Sequence, residues 1–390
     1  MESYTAFLEN QGYKPSTVYR HLWLIGGLNQ KLLRSHRGAH DIDERLISRF
    51  LEQRSRESRA SGGAQRAMRW FVELLRAANV GMGAPSAPKE ETNAHVLNPF
   101  RHYLLIERGL APGTVRRYVF GVRKFLLHCF GEDRCQASAL KPSEIIEYVR
   151  QVAPRVAPGG ITNVLCELRA FLRFLHYSGH LKRDLSPAVP TAPSWRGTEL
   201  PKYLPQEAVQ KVLDACNQET PLGRRNYAMI LLLARLGLRG GEVLRLTLDD
   251  IDWDHGLITL RSTKNGRDAR LPLPADVGKA MARYLRQDRP HGQSRLVFLK
   301  VKAPQGGFSK TAVFSTLVRR TLERAGVQSA RKGTHLFRHS LATSMLGQGA
   351  SLQEIGQVLR HKSPRMTAIY AKVELNALRA IALPWPGGVK

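Results

Sequence analysis

Residues 333–351 read GTHLFRHSLATSMLGQGAS. His335 and Arg338 are three apart, so on a helix they share a face. His339 lies four beyond His335, a spacing that can chelate zinc. Zinc-protease helices need a glutamate beside the first histidine, and Leu336 stands there instead. Arg338 would also set a cation beside any metal, so no metal site is expected. An arginine–histidine face suits a phosphate better. The guanidinium offers a planar fork to two oxygens, and the imidazole donates or relays a proton.

Upstream, residues 232–253 read LLARLGLRGGEVLRLTLDDIDW. Arg239 follows a buried helical run, and Gly240-Gly241 restart the chain. Glu242 either orients the arginine or forms an ordinary surface pair with it. The acidic group Asp249, Asp250, Asp252 and Asp254 admits a metal-dependent nuclease but fits a helix-to-strand turn better. Residues 256–274, GLITLRSTKNGRDARLPLP, alternate in polarity and turn at Asn265-Gly266, a hairpin signal. Lys264 at that tip is either solvated or a candidate general acid. RLVFLK (295–300) reads as a third strand.

Downstream, residues 356–374 read GQVLRHKSPRMTAIYAKVE. His361 falls in a turn, Ser363 is a good N-cap and Pro364 a good first helical residue. At 3.6 residues per turn, Tyr370 lies about two turns into the new helix. Singly, each residue has a structural explanation. In order they form Arg, Lys, His-x-x-Arg, His, Tyr: cations to clamp a phosphate, histidines for protons and orientation, and a phenol as nucleophile. Cationic side chains can stabilise such a transition state, so no cofactor is expected.

The chain has 390 residues, enough for two or three domains, and its 43% hydrophobic and 24% charged residues are ordinary for a globular protein. Its charge is not ordinary: 60 Lys plus Arg oppose 32 Asp plus Glu, a net +28. Cations gain affinity for nucleic acid by releasing its counterions. No polybasic amphipathic anchor favours lipid instead. No apolar run is long enough to span a bilayer, and MESYTAFLENQGYKPS has no signal-peptide pattern, so a cytoplasmic protein is expected. The four cysteines form no C-x-x-C pair and read as reduced, buried thiols.

Two stretches rich in Pro, Gly or Ala, 79–93 and 186–205, read as linkers. They suggest domains at 1–82, 94–188 and 198–385. The first two look related. FLENQGYKPSTVYRHL (7–22) and LLIERGLAPGTVRRYV (104–119) align Gly12 with Gly109, Pro15 with Pro112 and Arg20 with Arg117. IDERLISRFL and LKPSEIIEYV follow after a one-residue slip, as in a duplicated helical module. In the second copy Val115, Val119, Val122 and Leu126 form a stripe. Arg116, Arg117, Arg123 and Lys124 lie largely off it, as phosphate contacts or a solvated face.

The stretches LGLRGGEVLRL, TKNGRDARLPLP, HLFRHSLAT and VLRHKSPRMTAIYAKV closely resemble the tyrosine recombinases, the phage integrase family. The resemblance covers roughly the last half of the chain; the middle block is similar to the family's helical core-binding domain. It implies a mainly α protein, with helical (SAM-like) N-terminal DNA-binding modules and a mixed α/β catalytic domain carrying a small antiparallel sheet. In the implied roles, Arg239 and Arg338 hold the scissile phosphate, and Lys264 protonates the departing 5′-oxygen. His335 assists proton transfer, His361 bonds the phosphate, Glu242 supports Arg239, and Tyr370 forms a 3′-phosphotyrosine. The implied partner is double-stranded DNA, engaged by a tetramer at the nucleoid, with neither metal nor ATP. The implied task is integration or recombination of a mobile element. The alternative is an accessory factor or repressor that keeps the fold without catalysis.

One position departs from the family pattern. Arg360 stands where Leu-Gly-His is usual, so the helix end before His361 lacks its glycine, and Arg360 becomes a further DNA-contact candidate. Beyond Tyr370, Leu375, Leu378 and either Ala382 or Ile381 form a short apolar stripe that either docks on a neighbouring protomer or packs on its own domain.

Overall fold

The computed structural model describes residues 2–57, 62–78, 92–192, 201–261, 268–308 and 311–373. Lys264, the Asn265-Gly266 turn and the apolar stripe after Tyr370 lie outside the described residues. The chain forms two compact units, residues 30–195 and residues 1–29 with 196–390. The protein is mainly helical with one small sheet, as its sequence resemblance implies. Among the described residues no helix is long and apolar enough to cross a membrane.

The N-terminal elements are α1 (Glu2–Asn10), α2 (Pro15–Arg34), a 3-10 turn (Ala39–Asp41), α3 (Glu44–Glu57) and α4 (Gly62–Ala77). The middle elements repeat that order. They are α5 (Ala94–His102), which widens into a π turn at Tyr103–Glu107, then α6 (Pro112–Phe130), a 3-10 turn (Ala137–Ala139), α7 (Pro142–Val152) and α8 (Pro158–Tyr177). Gly12 and Gly109 are both left-handed, with φ +75 and +57. Each precedes a proline that opens the next helix, where a missing N–H costs nothing. The one-residue slip falls between these prolines and the 3-10 turns.

The predicted stripe of α6 is buried, with Val115, Val119, Val122 and Leu126 against Phe171, Leu172 and Leu175 of α8 in one core. Arg116, Arg117, Arg123 and Lys124 are exposed. Arg117 also pairs at 2.9 Å with buried Glu167. The cysteine expectation needs correction: Cys135 and Cys216 are buried, but Cys166 is exposed.

The C-terminal elements are α9 (Gln206–Asp214), α10 (Pro221–Leu236), α11 (Gly240–Arg245), β1 (Ile251–Asp252), β2 (Leu257–Leu260), β3 (Ala269–Pro272), α12 (Ala275–Gln287), α13 (Thr311–Arg324), α14 (His335–Gly347), α15 (Leu352–Val358) and α16 (Pro364–Thr367). The strands form an antiparallel sheet in the order β1-β2-β3, with Ile258 opposite Ile251 and Leu271. The third strand is therefore β1, not RLVFLK. Residues 295–300 instead tie to Leu246 and Leu248 through backbone bonds and bury Val297, Phe298 and Leu299.

Helix α10 is buried along most of its length, from Ala228 to Leu233. It packs against α12 and α14, so the ends of α10 and α14 become fixed points for the site. The acidic group serves the turn. Asp250 accepts from the Thr247 amide and hydroxyl and from Arg261, Asp249 pairs with Arg295, and Asp252 with His255.

Candidate active site

Helix α10 ends at Gly237, whose φ of +57 is a left-handed turn that glycine adopts without strain. A Cβ there would sit 2.8 Å from Leu359 Cδ2 and 3.0 Å from Leu341 Cδ2, so close packing needs the glycine too. Two residues on, Arg239 is the N-cap of α11. The Glu242 carboxylate reaches back to it, accepting the Arg239 amide at 2.8 Å and its Nη1 at 2.8 Å. The same carboxylate accepts Arg360 Nη2 at 3.0 Å. Burial works against the charge on Glu242, but the Arg239 amide, Arg360 and the Arg239 guanidinium together hold its carboxyl below its ordinary value.

Arg360 takes the conformation that glycine would take. Its φ is +55, just after α15. Its amide donates to the Gln357 carbonyl and the His361 amide to Gly356, both at 2.9 Å, so the helix closes in a Schellman turn despite the side chain. The Arg360 side chain turns inward onto Glu242 and is 10% exposed.

Arg338, on the first turns of α14, is buried. Its Nη1 donates to the Gly237 carbonyl at 2.7 Å, and its Nη2 donates to the Leu359 carbonyl. Both acceptors lie at helix C-termini, where a cation is favoured. Burial, then Arg239 and Arg360, push its pKa down to about 10, which still leaves it charged near neutral pH.

The tyrosine segment differs from the expected helix. Pro364 opens α16 and Ser363 precedes it in extended backbone, but the serine side chain makes no capping bond. After Thr367 the chain tightens to a 3-10 turn, Ala368–Val373. With three residues per turn, Thr367 and Tyr370 point to the same side. His361 spans both: its Nδ1 is hydrogen-bonded to the Thr367 hydroxyl at 2.7 Å, and its ring lies parallel to that of Tyr370, centroids 6.4 Å apart. Tyr370 is 1% exposed, packed with Leu346, Ile355 and Leu359. Burial raises its pKa to about 12, while Arg338 pulls it the other way.

The Tyr370 hydroxyl is 2.9 Å from Nδ1 of His339. Sequence reasoning weighed His339 only as a metal ligand; its i,i+4 relation to His335 was the available signal. His335 itself opens α14 and is exposed. Burial and neighbouring cations lower the pKa of His339 and of His361 to about 4. Both rings are therefore neutral near pH 7. The described site thus gathers Arg239, Glu242, Arg338, His339, Arg360, His361 and Tyr370 in one unit.

Residues 202–376 match the model of the phage integrase family, and residues 97–179 match the phage integrase N-terminal SAM-like domain. The chain belongs to the phage integrase family and is a site-specific tyrosine recombinase, an enzyme of DNA strand breakage and rejoining. It is 39% identical over 390 residues to a Sinorhizobium fredii (strain NBRC 101917 / NGR234) protein named as integrase/recombinase y4rA, covering 98% of this chain and 93% of that one. It is 30% identical to the tyrosine recombinase XerA of Thermococcus kodakarensis (strain ATCC BAA-918 / JCM 12380 / KOD1), covering 73% and 93%. Its fold is shared with the crystal structure of a lambda integrase (75–356) dimer bound to a COC′ core site, at 16% identity and a TM-score of 0.56, covering 71% and 94%.

Proposed function

We propose that Tyr370 is the nucleophile that attacks a scissile phosphate held by Arg239 and Arg338, leaving a 3′-phosphotyrosine and a free 5′-hydroxyl. Lys264 protonates the leaving oxygen, His335 assists proton transfer, and His361 bonds the phosphate. Glu242 orients Arg239 and, through the same carboxylate, Arg360. The covalent link conserves the phosphodiester energy, so strands rejoin without ATP. The observation that carries this reading is the packing of Tyr370 against His361 and under the charge of Arg338, in the 3-10 turn that follows α16.

The substrate is double-stranded DNA, gripped by domains at 94–188 and 198–385, with 1–82 a further DNA-binding module. The repeated element order and the paired glycines at 12 and 109 support the last assignment. Arg116, Arg117, Arg123 and Lys124 offer an exposed cationic edge to phosphates. Four protomers act together on two sites, in the cytoplasm at the nucleoid, in the movement of a mobile element. The name integrase/recombinase carried by the Sinorhizobium fredii relative supports the mobile-element task.

The test is Tyr370→Phe on a nicked DNA substrate. The variant should bind with nearly unchanged affinity and form no covalent adduct. Cleavage by the phenylalanine variant would remove the phenol from the mechanism and leave an accessory or repressor role for the conserved fold.

A further inference from the structure

Lys264 serves the leaving oxygen and His335 assists proton transfer, but neither role names a group in contact with the hydroxyl of the attacking phenol. His339 fills that position. Its Nδ1 lies 2.9 Å from the Tyr370 hydroxyl, and the two rings are tilted with centroids 5.7 Å apart. The contact spans 31 residues, from α14 to the 3-10 turn after α16. His335, to which the resemblance gives proton transfer, opens the same helix one turn earlier and is exposed.

We infer that His339 is the general base for Tyr370, its Nδ1 accepting the phenolic proton as the new oxygen–phosphorus bond forms. This rests on the reading of Tyr370 as the nucleophile. The step balances. The phenol O–H gives its proton to Nδ1, and the freed electron pair on oxygen forms the bond to phosphorus. The bond from phosphorus to the 5′-oxygen breaks, and that oxygen leaves with its electron pair and takes a separate proton. His339 ends as an imidazolium and returns its proton to the phenol when the strand rejoins.

The proposed role requires the neutral ring with its hydrogen on Nε2, leaving Nδ1 as acceptor. Burial first, and then the neighbouring cations, keep the ring neutral off DNA. The charges of His335, Arg331 and of Arg338, its neighbour along α14, disfavour the imidazolium, its charge and that of His361 disfavour one another, and its ring lies against that of Tyr370. A scissile phosphate brings negative charge to this same cationic group. It offsets the neighbours that weaken the imidazole, so the base gains strength only when substrate is in place.

His339→Asn separates proton transfer from positioning, because the amide oxygen can take the place of Nδ1 as an acceptor but cannot carry the proton away. Single-turnover cleavage of nicked DNA should fall by about 100-fold at pH 7, the scale of general-base catalysis. It should then climb about tenfold per pH unit toward pH 9 as phenolate replaces the base. DNA affinity should be unchanged, and the wild-type profile should stay level over that range. A substrate with a bridging 5′-sulfur, whose thiolate leaves without a proton, should rescue Lys264→Ala but not His339→Asn.

Wild-type cleavage by His339→Asn, or its rescue by the sulfur substrate, overturns the assignment. So does a wild-type profile on the sulfur substrate that keeps rising to pH 9, a measurement that needs no variant to fold. Tyr370→Phe separates the two readings. If it cleaves, the nucleophile is misassigned; if it is dead while His339→Asn is fully active, only the base is.

Discussion

Arg360→Gly would restore the glycine usual in the family, yet it should destabilise this protein. Two effects oppose. Arg360 holds a left-handed φ of +55, which costs a non-glycine residue roughly 1–2 kcal/mol, and glycine relieves it. Against that, Arg360 is one of two cations on the buried Glu242 carboxylate. Glu242 would keep the Arg239 amide and guanidinium, both at 2.8 Å, so the loss falls short of an orphaned charge. We set it at about 2–3 kcal/mol, below the ~3–5 kcal/mol of a fully broken buried pair. The ion pair wins, and the net loss is about 1 kcal/mol.

Arg360→Ala keeps the strain and loses the pair, so it should be about 1 kcal/mol worse than Arg360→Gly. Hydrogen exchange in peptides covering α11 and α15 reads these differences locally. The variants should also shift acid sensitivity. Glu242 titrates below its ordinary value in the folded protein, so its stabilisation is present above the unfolded value and is lost as pH falls through the folded one. Without Arg360 the folded value moves up, and the loss begins at higher pH. Stability of Arg360→Gly above wild type, with an unchanged acid limb, would refute the claim that the ion pair outweighs the backbone strain.

Gly237→Ala combines left-handed strain with a Cβ 2.8 Å from Leu359, and should cost about 2–4 kcal/mol in urea unfolding while slowing cleavage through the Arg338 anchor. Arg338→Lys should slow turnover at least about 100-fold, because one ammonium cannot bridge both carbonyls and a phosphate; wild-type single-turnover rates would contradict the anchor. Burial raises Glu167 to about 7 against the pull of Arg117 and Lys124, so the folded state holds its proton more tightly than the unfolded chain. Stability of the middle helices should therefore decline by on the order of 2–3 kcal/mol from the ordinary carboxylate range up to about pH 7, and Glu167→Gln should flatten that slope in exchange measurements.

Much of this was legible in the sequence because it is local. The α6 stripe follows from helical periodicity, and Gly12-x-x-Pro15 and Gly109-x-x-Pro112 mark helix junctions by backbone chemistry alone. Arg239, Arg338, His361 and Tyr370 were singled out through their order and spacing, whereas His339 was weighed only as a metal ligand. The distant partners of these groups were not legible. Glu242 is 118 residues from Arg360, and Arg338 is 101 from the Gly237 carbonyl, separations on which periodicity is silent. The 3-10 turn at Tyr370 was also hidden, since Ala368–Val373 carries no Gly or Pro to announce a change of pitch. RLVFLK was misread because an apolar run looks the same whether it joins a sheet or a core.

Tyr370 has almost no contact with solvent when the protein is alone. With Tyr370 as the nucleophile proposed above, a phenol sealed in this way is out of reach of the many phosphodiesters the protein meets in passing. On that reading, productive DNA binding has to expose the phenol while keeping its contact with His339. The energy of site recognition thus also serves as the licence to cut. A variant with a loosened 3-10 turn should betray itself less by failing at its proper site than by nicking elsewhere.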